Sequence, residues 1–279
     1  MEKDTWAEPN NFSMVFRCTT VEFAEEFLKK GQIKFNTPES WVKYAEQNGD
    51  GRGDFLEGTI ALAHQFDIEH LVEINKKYQD LPDLMRIPYE NRVLLKSHND
   101  MNLPCYCFYI LKNSMFEPPN GSGKQKLITT VPPEYFRDFA DKKTLDEINE
   151  LEEKERPAVI LISNYKLFEE RLISFLVNIG VSRSEIIIGR VEYMDYGKYG
   201  ELGWWDFGQK PPMELLVKEK RFIKQSEARV ILNTNNPEVK KKLEMPLELG
   251  NMEDIASIIK GYFYDGIRIE MDADIIAKE

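Results

Sequence analysis

Three polar side chains in one short stretch have the types and spacing for chemistry. In Arg221-Phe-Ile-Lys-Gln-Ser-Glu-Ala-Arg-Val-Ile-Leu232, polar and apolar residues alternate. That period of two reads as a β-strand with Gln225, Glu227 and Arg229 on one face and Ser226, Ala228, Val230 and Leu232 on the other. An amide, a carboxylate and a guanidinium standing about 7 Å apart in a row can line a cleft. A carboxylate there can stabilise a developing positive charge, and a guanidinium can hold a phosphate by its planar fork. The same spacing also describes an exposed ion-pair ladder, which contributes little to stability.

The elements that must position these groups follow from patterning. The first strand is read at Ser13–Thr20 and carries Arg17. Thr19-Thr-Val-Glu22 resembles a capping box, and Phe23, Phe27 and Leu28 give the next helix an apolar stripe that Gly31 ends. A short strand over 32–36 leads into Thr37-Pro-Glu-Ser40 and Trp41. The run Pro104-Cys-Tyr-Cys-Phe-Tyr-Ile-Leu111 predicts a central strand buried on both faces, and 157–162 predicts another. Helices are expected at 67–80, with Ile68, Leu71, Ile74 and Tyr78 inward, and at 165–179, 212–219 and 254–259. Strands are expected at 185–193, 246–250 and 266–270. Helices and strands mix without regular alternation, so the expected class is α+β, a mixed β-sheet core with peripheral helices. One domain is expected over 1–279, with residues 118–156 as a surface insertion or linker.

Composition narrows the function. The chain has 279 residues, 42% of them hydrophobic, enough for a sizeable core. Its net charge of −11 disfavours general binding to nucleic acid or to an anionic membrane. Three cysteines, Cys18, Cys105 and Cys107, fit a reducing compartment, and without a signal peptide or an apolar run of about 18 residues the expected location is cytoplasmic. The three histidines, His64, His70 and His98, have no zinc-binding spacing, so no metal site is expected. The stretch Gly49-Asp-Gly-Arg-Gly-Asp-Phe-Leu-Glu-Gly58 is a glycine-rich loop with neither phosphate-loop nor calcium-loop spacing. It is read as bringing Arg52, Asp54 and Glu57 to the rim of a site and as closing over a bound ligand, against the reading of a plain solvated turn. The aromatic loop at 203–212 either stacks on a ligand or packs as core or lid.

Two sets of residues carry resemblances. Phe16-Arg17-Cys-Thr-Thr, the helix ending in Lys-Lys-Gly31, Gln-Ile-Lys-Phe-Asn-Thr-Pro38, Gln225-Ser-Glu227-Ala-Arg229 and Leu249-Gly-Asn-Met-Glu-Asp-Ile255 together resemble an uncharacterised bacterial family found among abortive-infection and phage-defence genes. More loosely, an arginine on the first strand, a hydroxyl residue after the second and a Gln-x-Glu pair on a later strand are similar to the ADP-ribosyltransferase fold. That resemblance implies a split sheet, with NAD as substrate. It matches Arg17 to the dinucleotide-binding arginine, Gln225 to the residue addressing the acceptor and Glu227 to the catalytic carboxylate. Where that family usually has Ser-Thr-Ser, this chain offers Thr37 and Ser40. Arg52 joins Arg17, Thr37 and Ser40 as a cofactor-binding candidate.

The chemistry agrees with those roles. Breaking the bond from ribose to nicotinamide produces an oxocarbenium-like centre that a carboxylate stabilises, as in glycoside cleavage. The resemblance implies an NAD-consuming transferase or glycohydrolase acting in phage defence. A protein or nucleic-acid acceptor and an antitoxin or phage trigger would be its partners. The alternative is a non-catalytic binding or sensor module of an abortive-infection system. The enzyme requires Arg17, Gln225 and Glu227 to face one cavity, and Arg17 and Glu227 on opposite faces of the sheet would tell against it.

Overall fold

A computed structural model describes residues 12–48, 53–81, 83–117, 123–140, 143–196, 204–206, 212–261, 263 and 265–275. In chain order its elements begin with β1 (Phe12–Thr20), α1 (Val21–Lys30), β2 (Gln32–Ile33), α2 (Pro38–Asn48), β3 (Ala61–His64) and α3 (Ile68–Lys77). They continue through β4 (Leu84–Tyr89), β5 (Arg92–Ser97), α4 (His98–Met101), β6 (Cys105–Lys112), β7 (Gly123–Val131), α5 (Pro133–Phe139) and α6 (Leu145–Asn149). Next come β8 (Pro157–Ile162), α7 (Tyr165–Asn178), β9 (Ile186–Arg190), β10 (Glu192–Met194), β11 (Trp204–Asp206) and β12 (Val217–Glu219). The chain closes with β13 (Glu227–Leu232), α8 (Pro237–Leu243), β14 (Leu247–Glu248), β15 (Ala256–Lys260) and β16 (Ile267–Ile275).

The fold is α+β. Its main sheet has the strand order β15-β8-β1-β6-β13-β9, and every ladder in it is antiparallel. The mixed sheet expected from the sequence is therefore corrected: among the described residues the parallel pair is β10 with β12, outside the main sheet. The aromatic run 105–111 is the middle of this sheet, as its apolar character on both faces predicts. One face packs Val15, Phe108, Ile110, Ala228 and Val230 against Phe27 of α1, Phe168, Leu172 and Leu176 of α7, and Val239 of α8. The other face packs Phe16, Tyr109 and Val159 against Val131 of β7, Phe136 of α5 and Phe263. A second antiparallel sheet, β11-β3-β5-β4, stands beside the first with its own small apolar clusters.

Several expected elements take another form. The helices expected at 212–219 and 254–259 are a 3-10 turn at Met213–Leu216 running into β12, and the strand β15. Isoleucines 258 and 259 satisfy either period, and pairing with β8 decides for the strand. Helix α1 starts one residue beyond the expected capping box, with Thr20 as N-cap and no side-chain bond there. In α3, Ile74 and Tyr78 are buried, but Ile68 is 71% exposed. Of the segment read as an insertion or linker, 123–131 is a nine-residue strand paired with β16 along its length, and α5 lies over the main sheet. The residues of the aromatic loop that are described, 204–206, form β11 against β3.

Gly31 makes the turn that brings β2 back along α1. Its φ is +64°, its N–H bonds the Phe27 carbonyl at 2.7 Å, and an added Cβ would lie 2.5 Å from the Gly250 carbonyl oxygen. Gly31→Ala should destabilise the protein by about 1–3 kcal/mol, read as a lowered urea midpoint with an unchanged slope.

Candidate functional site

The strand β13 begins only at Glu227, because Lys220–Gln225 is a 3-10 helix and Ser226 adopts a left-handed conformation, φ +38°. The longer strand expected from Arg221 onward is therefore corrected. The alternation holds over 227–232, and every residue in that span is buried, so the exposed ion-pair ladder is excluded as well. Ser226 keeps its turn by donating its hydroxyl to the Ile110 carbonyl at 2.8 Å.

The centre of the site is Arg229, fully buried. Its Nη2 lies 3.0 Å from Glu57 Oε2, its Nη1 bonds Glu57 Oε1 and the Leu215 carbonyl, and its Nε donates to Glu227 Oε1 at 2.6 Å. Trp41 covers the guanidinium, its ring centroid 5.0 Å away. Glu227 is also held from the other side by Lys218 of β12, whose Nζ is 3.2 Å from Oε2 and 2.7 Å from Gln225 Oε1. Gln225 Nε2 in turn donates to Asp138 Oδ2 on α5 at 3.2 Å. Glu57, Glu227, Lys218 and Arg229 form a buried quartet of two anions and two cations, which is how charge survives out of water.

The electrostatics follow from that quartet. Burial opposes ionisation of Glu227, but the Arg229 guanidinium and the Lys218 ammonium outweigh it, and its carboxyl titrates far below the usual range. Burial likewise opposes charge on Lys218 and Arg229, and the Glu227 and Glu57 carboxylates reverse this, so both stay cationic. Behind Glu57, burial and the Glu57 charge raise Asp54 to about 6, and burial lowers Lys96 to about 8. Lys96 Nζ donates to the Phe55 carbonyl at 2.8 Å.

Above the quartet lies a cavity of about 540 Å³, within the range of roughly 300–1,000 Å³ usual for small-molecule sites. Arg17, Gln225, Glu227 and Ser40 line it, as do Trp41, Tyr44, Tyr106, Tyr135 and Asp138. The register sets Arg17 and Glu227 on opposite faces of the sheet, since Val15 packs with Phe108 on one face while Glu227 stands opposite Tyr109 on the other. They reach one cavity because the sheet opens between them. Strand β1 pairs with β6 only as far as Phe16↔Tyr109, then continues on β8 alone to Thr20. Further along β6, Cys105 exchanges two backbone bonds with Asn36. In the window between, Arg17 donates to the Cys107 carbonyl and lies 4.2 Å from the Tyr106 ring centroid.

The other expected ligand residues fare differently. Thr37 is not among the residues lining the cavity; its hydroxyl accepts from the Ser40 N–H at 3.3 Å, and the Ser40 hydroxyl donates to the Thr37 carbonyl at 2.6 Å. Both hydroxyls serve the start of α2. Arg52 lies outside the described residues. Asp54 and Glu57, expected at a mobile rim, are each 1% exposed. Their turn is packed: a Cβ on Gly53 would lie 2.4 Å from the Trp41 carbonyl oxygen, and one on Gly58 would lie 2.4 Å from Met101 Sδ. Residues 53–58 are therefore part of the base of the site, and the expectation of a loop closing over ligand is corrected for them.

Comparison with models of known families, with curated proteins and with solved structures found no match. Among the described residues no helix is long and apolar enough to cross a membrane, and no group of three or more His, Cys, Asp or Glu is placed to hold a metal ion. The site residues missed from the sequence are Lys218 and Asp138. Lys218 sits in the charged run Lys218-Glu-Lys-Arg221, where nothing marks one lysine as buried, and Asp138 lies on the short helix Pro133–Phe139 between Arg137 and Phe139, where nothing marks one carboxylate as facing a cavity.

Two predictions follow from the buried charges. Glu57→Ala leaves the Arg229 guanidinium short of a bidentate partner and should cost about 3–5 kcal/mol in chemical unfolding. The second concerns Glu214, 1% exposed, beside the Leu215 carbonyl that Arg229 uses. As carboxylates, Glu214 and Asp100 offer one another no donor; a proton held between them supplies it. Burial and the Asp100 charge raise Glu214 to about 9. An acid raised in the fold binds more protons folded than unfolded, so its contribution is full below about 4.5 and is lost as pH rises toward about 9. Glu214→Gln should flatten stability against pH over that window.

Proposed function

We propose that the cavity binds NAD and that Glu227 assists cleavage of its bond from ribose to nicotinamide, making the protein an ADP-ribosyltransferase-like or NAD glycohydrolase-like effector of bacterial phage defence. The observation that carries this reading is the shared cavity: an arginine on the first strand and a fully ionised glutamate on a later strand, held from different faces, border one aromatic-lined space. Arg17 would hold the diphosphate, with the rings of Trp41 and Tyr44 as surfaces for the bases. Glu227 would stand against the oxocarbenium centre, its charge guaranteed by Arg229 and Lys218. The gap between β1 and β6 is the feature that supports a split-sheet likeness to the ADP-ribosyltransferase fold. The sequence resemblance to abortive-infection proteins supports the role in defence, in which an antitoxin or a phage component would control the protein.

Two observations favour the second reading, a recognition module without turnover. The register sets Arg17 and Glu227 on opposite faces of the sheet, the arrangement that tells against the enzyme. Both carboxylate oxygens of Glu227 are already engaged, by Arg229 and by Lys218. In that reading the quartet is a brace, and the cavity recognises a phage or host ligand through Arg17 and the aromatic rings.

Purified protein incubated with NAD should release nicotinamide, followed by chromatography. Glu227→Gln keeps the side chain's shape but removes one anion of the quartet, so its rate is read on protein shown to be folded by its melting transition, and should be lower by about 10²-fold or more. Release by Glu227→Gln at the wild-type rate would contradict the enzyme reading, and binding of NAD without release would favour the recognition module.

A further inference from the structure

Resting on the proposed cleavage of NAD, we infer that water is the acceptor of the ribosyl group and that Asp138 takes its proton. A transferase needs a side chain at the mouth of the site to address its acceptor, the role implied by resemblance for Gln225. The carboxamide of Gln225 is bonded at both ends within the protein. Its oxygen accepts from Lys218 Nζ at 2.7 Å and its nitrogen donates to Asp138 Oδ2 at 3.2 Å. The ammonium fixes which way the amide points, because only the oxygen can accept from it, so the nitrogen must face the carboxylate. Gln225 is thus a positioning residue that aims Asp138 into the cavity that Glu227 also borders.

The two carboxylates stand in different surroundings. Glu227 is 9% exposed and clamped by two cations, which keep it ionised. Asp138 is less buried, borders the same cavity and receives a hydrogen bond from the Gln225 amide, which sets its carboxylate where it can take a proton from a water in that cavity. In the step, the bond from ribose C1′ to the nicotinamide nitrogen breaks and its electron pair leaves with nicotinamide. A water oxygen then bonds C1′, and the proton it loses passes to Asp138 and on to solvent. NAD and water become ADP-ribose, nicotinamide and one released proton, with no further reactant.

A pyridine base that competes with water separates this role from a structural one, because a pyridine nitrogen captures C1′ without losing a proton. Wild-type protein, Asp138→Asn and Asp138→Glu would each be given NAD with 3-acetylpyridine, and the ratio of ADP-ribose to exchanged dinucleotide measured. The ratio should fall at least tenfold in Asp138→Asn, while exchange itself continues, and should recover in Asp138→Glu. An unchanged ratio in Asp138→Asn, or ADP-ribose found attached to protein rather than free, would overturn the inference while leaving NAD cleavage intact. If Asp138→Asn loses its fold, seen as a lost melting transition, the Asp138→Glu ratio decides alone: a wild-type-like value supports the proton acceptor, and a low value overturns it. Neither nicotinamide release nor exchange by the wild type would overturn the proposed function and this inference with it.

Discussion

A guanidinium with no exposed surface at the centre of a protein dictates what must surround it. Arg229 is on the strand next to the middle of the main sheet, and its charge is compatible with folding only if Glu57, 172 positions away in the chain, and Glu227 reach it together. That requirement draws the 53–58 turn, the 213–219 segment and β13 to one point. Lys218 then balances the second carboxylate, and Gln225 links the quartet to α5. A single ionic constraint thereby joins the second sheet, the main sheet and the helix over it, and it leaves Glu227 as an anion at the wall of a cavity.

The cavity itself comes from a departure from sheet regularity. Had β1 kept pairing with β6 beyond Phe16, the alternation of side chains would have put Arg17 and Glu227 in separate compartments. The parting of the two strands, and the return of the chain at Asn36 to bond Cys105, leave a stretch of the β6 edge for the Arg17 side chain. The arginine is held there by a backbone carbonyl and an aromatic face, and it lines the cavity.

Much of this was legible in local pattern. The central strand at 105–112, the buried strand at 157–162 and the helix at 165–178 announced themselves because their apolar runs have one period and one length. The polar face of β13 was legible from Glu227 onward for the same reason. What failed were stretches where the period is ambiguous or where tertiary pairing overrides it, such as Ala256–Lys260, and places where one residue sets the geometry, such as Ser226 at positive φ. The burial of Asp54, Glu57 and Lys218 had no local signal at all. Charged residues beside glycines or in a charged run read as surface, and only a partner far along the chain reverses that.

The central claim is that Arg17 and Glu227 serve one ligand. Calorimetric titration of NAD into the wild-type protein and into Arg17→Ala tests it most directly, because Arg17 lies outside the buried quartet and its loss leaves Glu227 and Arg229 paired. Binding by the wild type, weakened about tenfold or more in the variant, corresponds to loss of one charge-assisted contact of roughly 1.4 kcal/mol or more and is the predicted result. Equal affinity in the two proteins, or no heat of binding in either, would contradict the account.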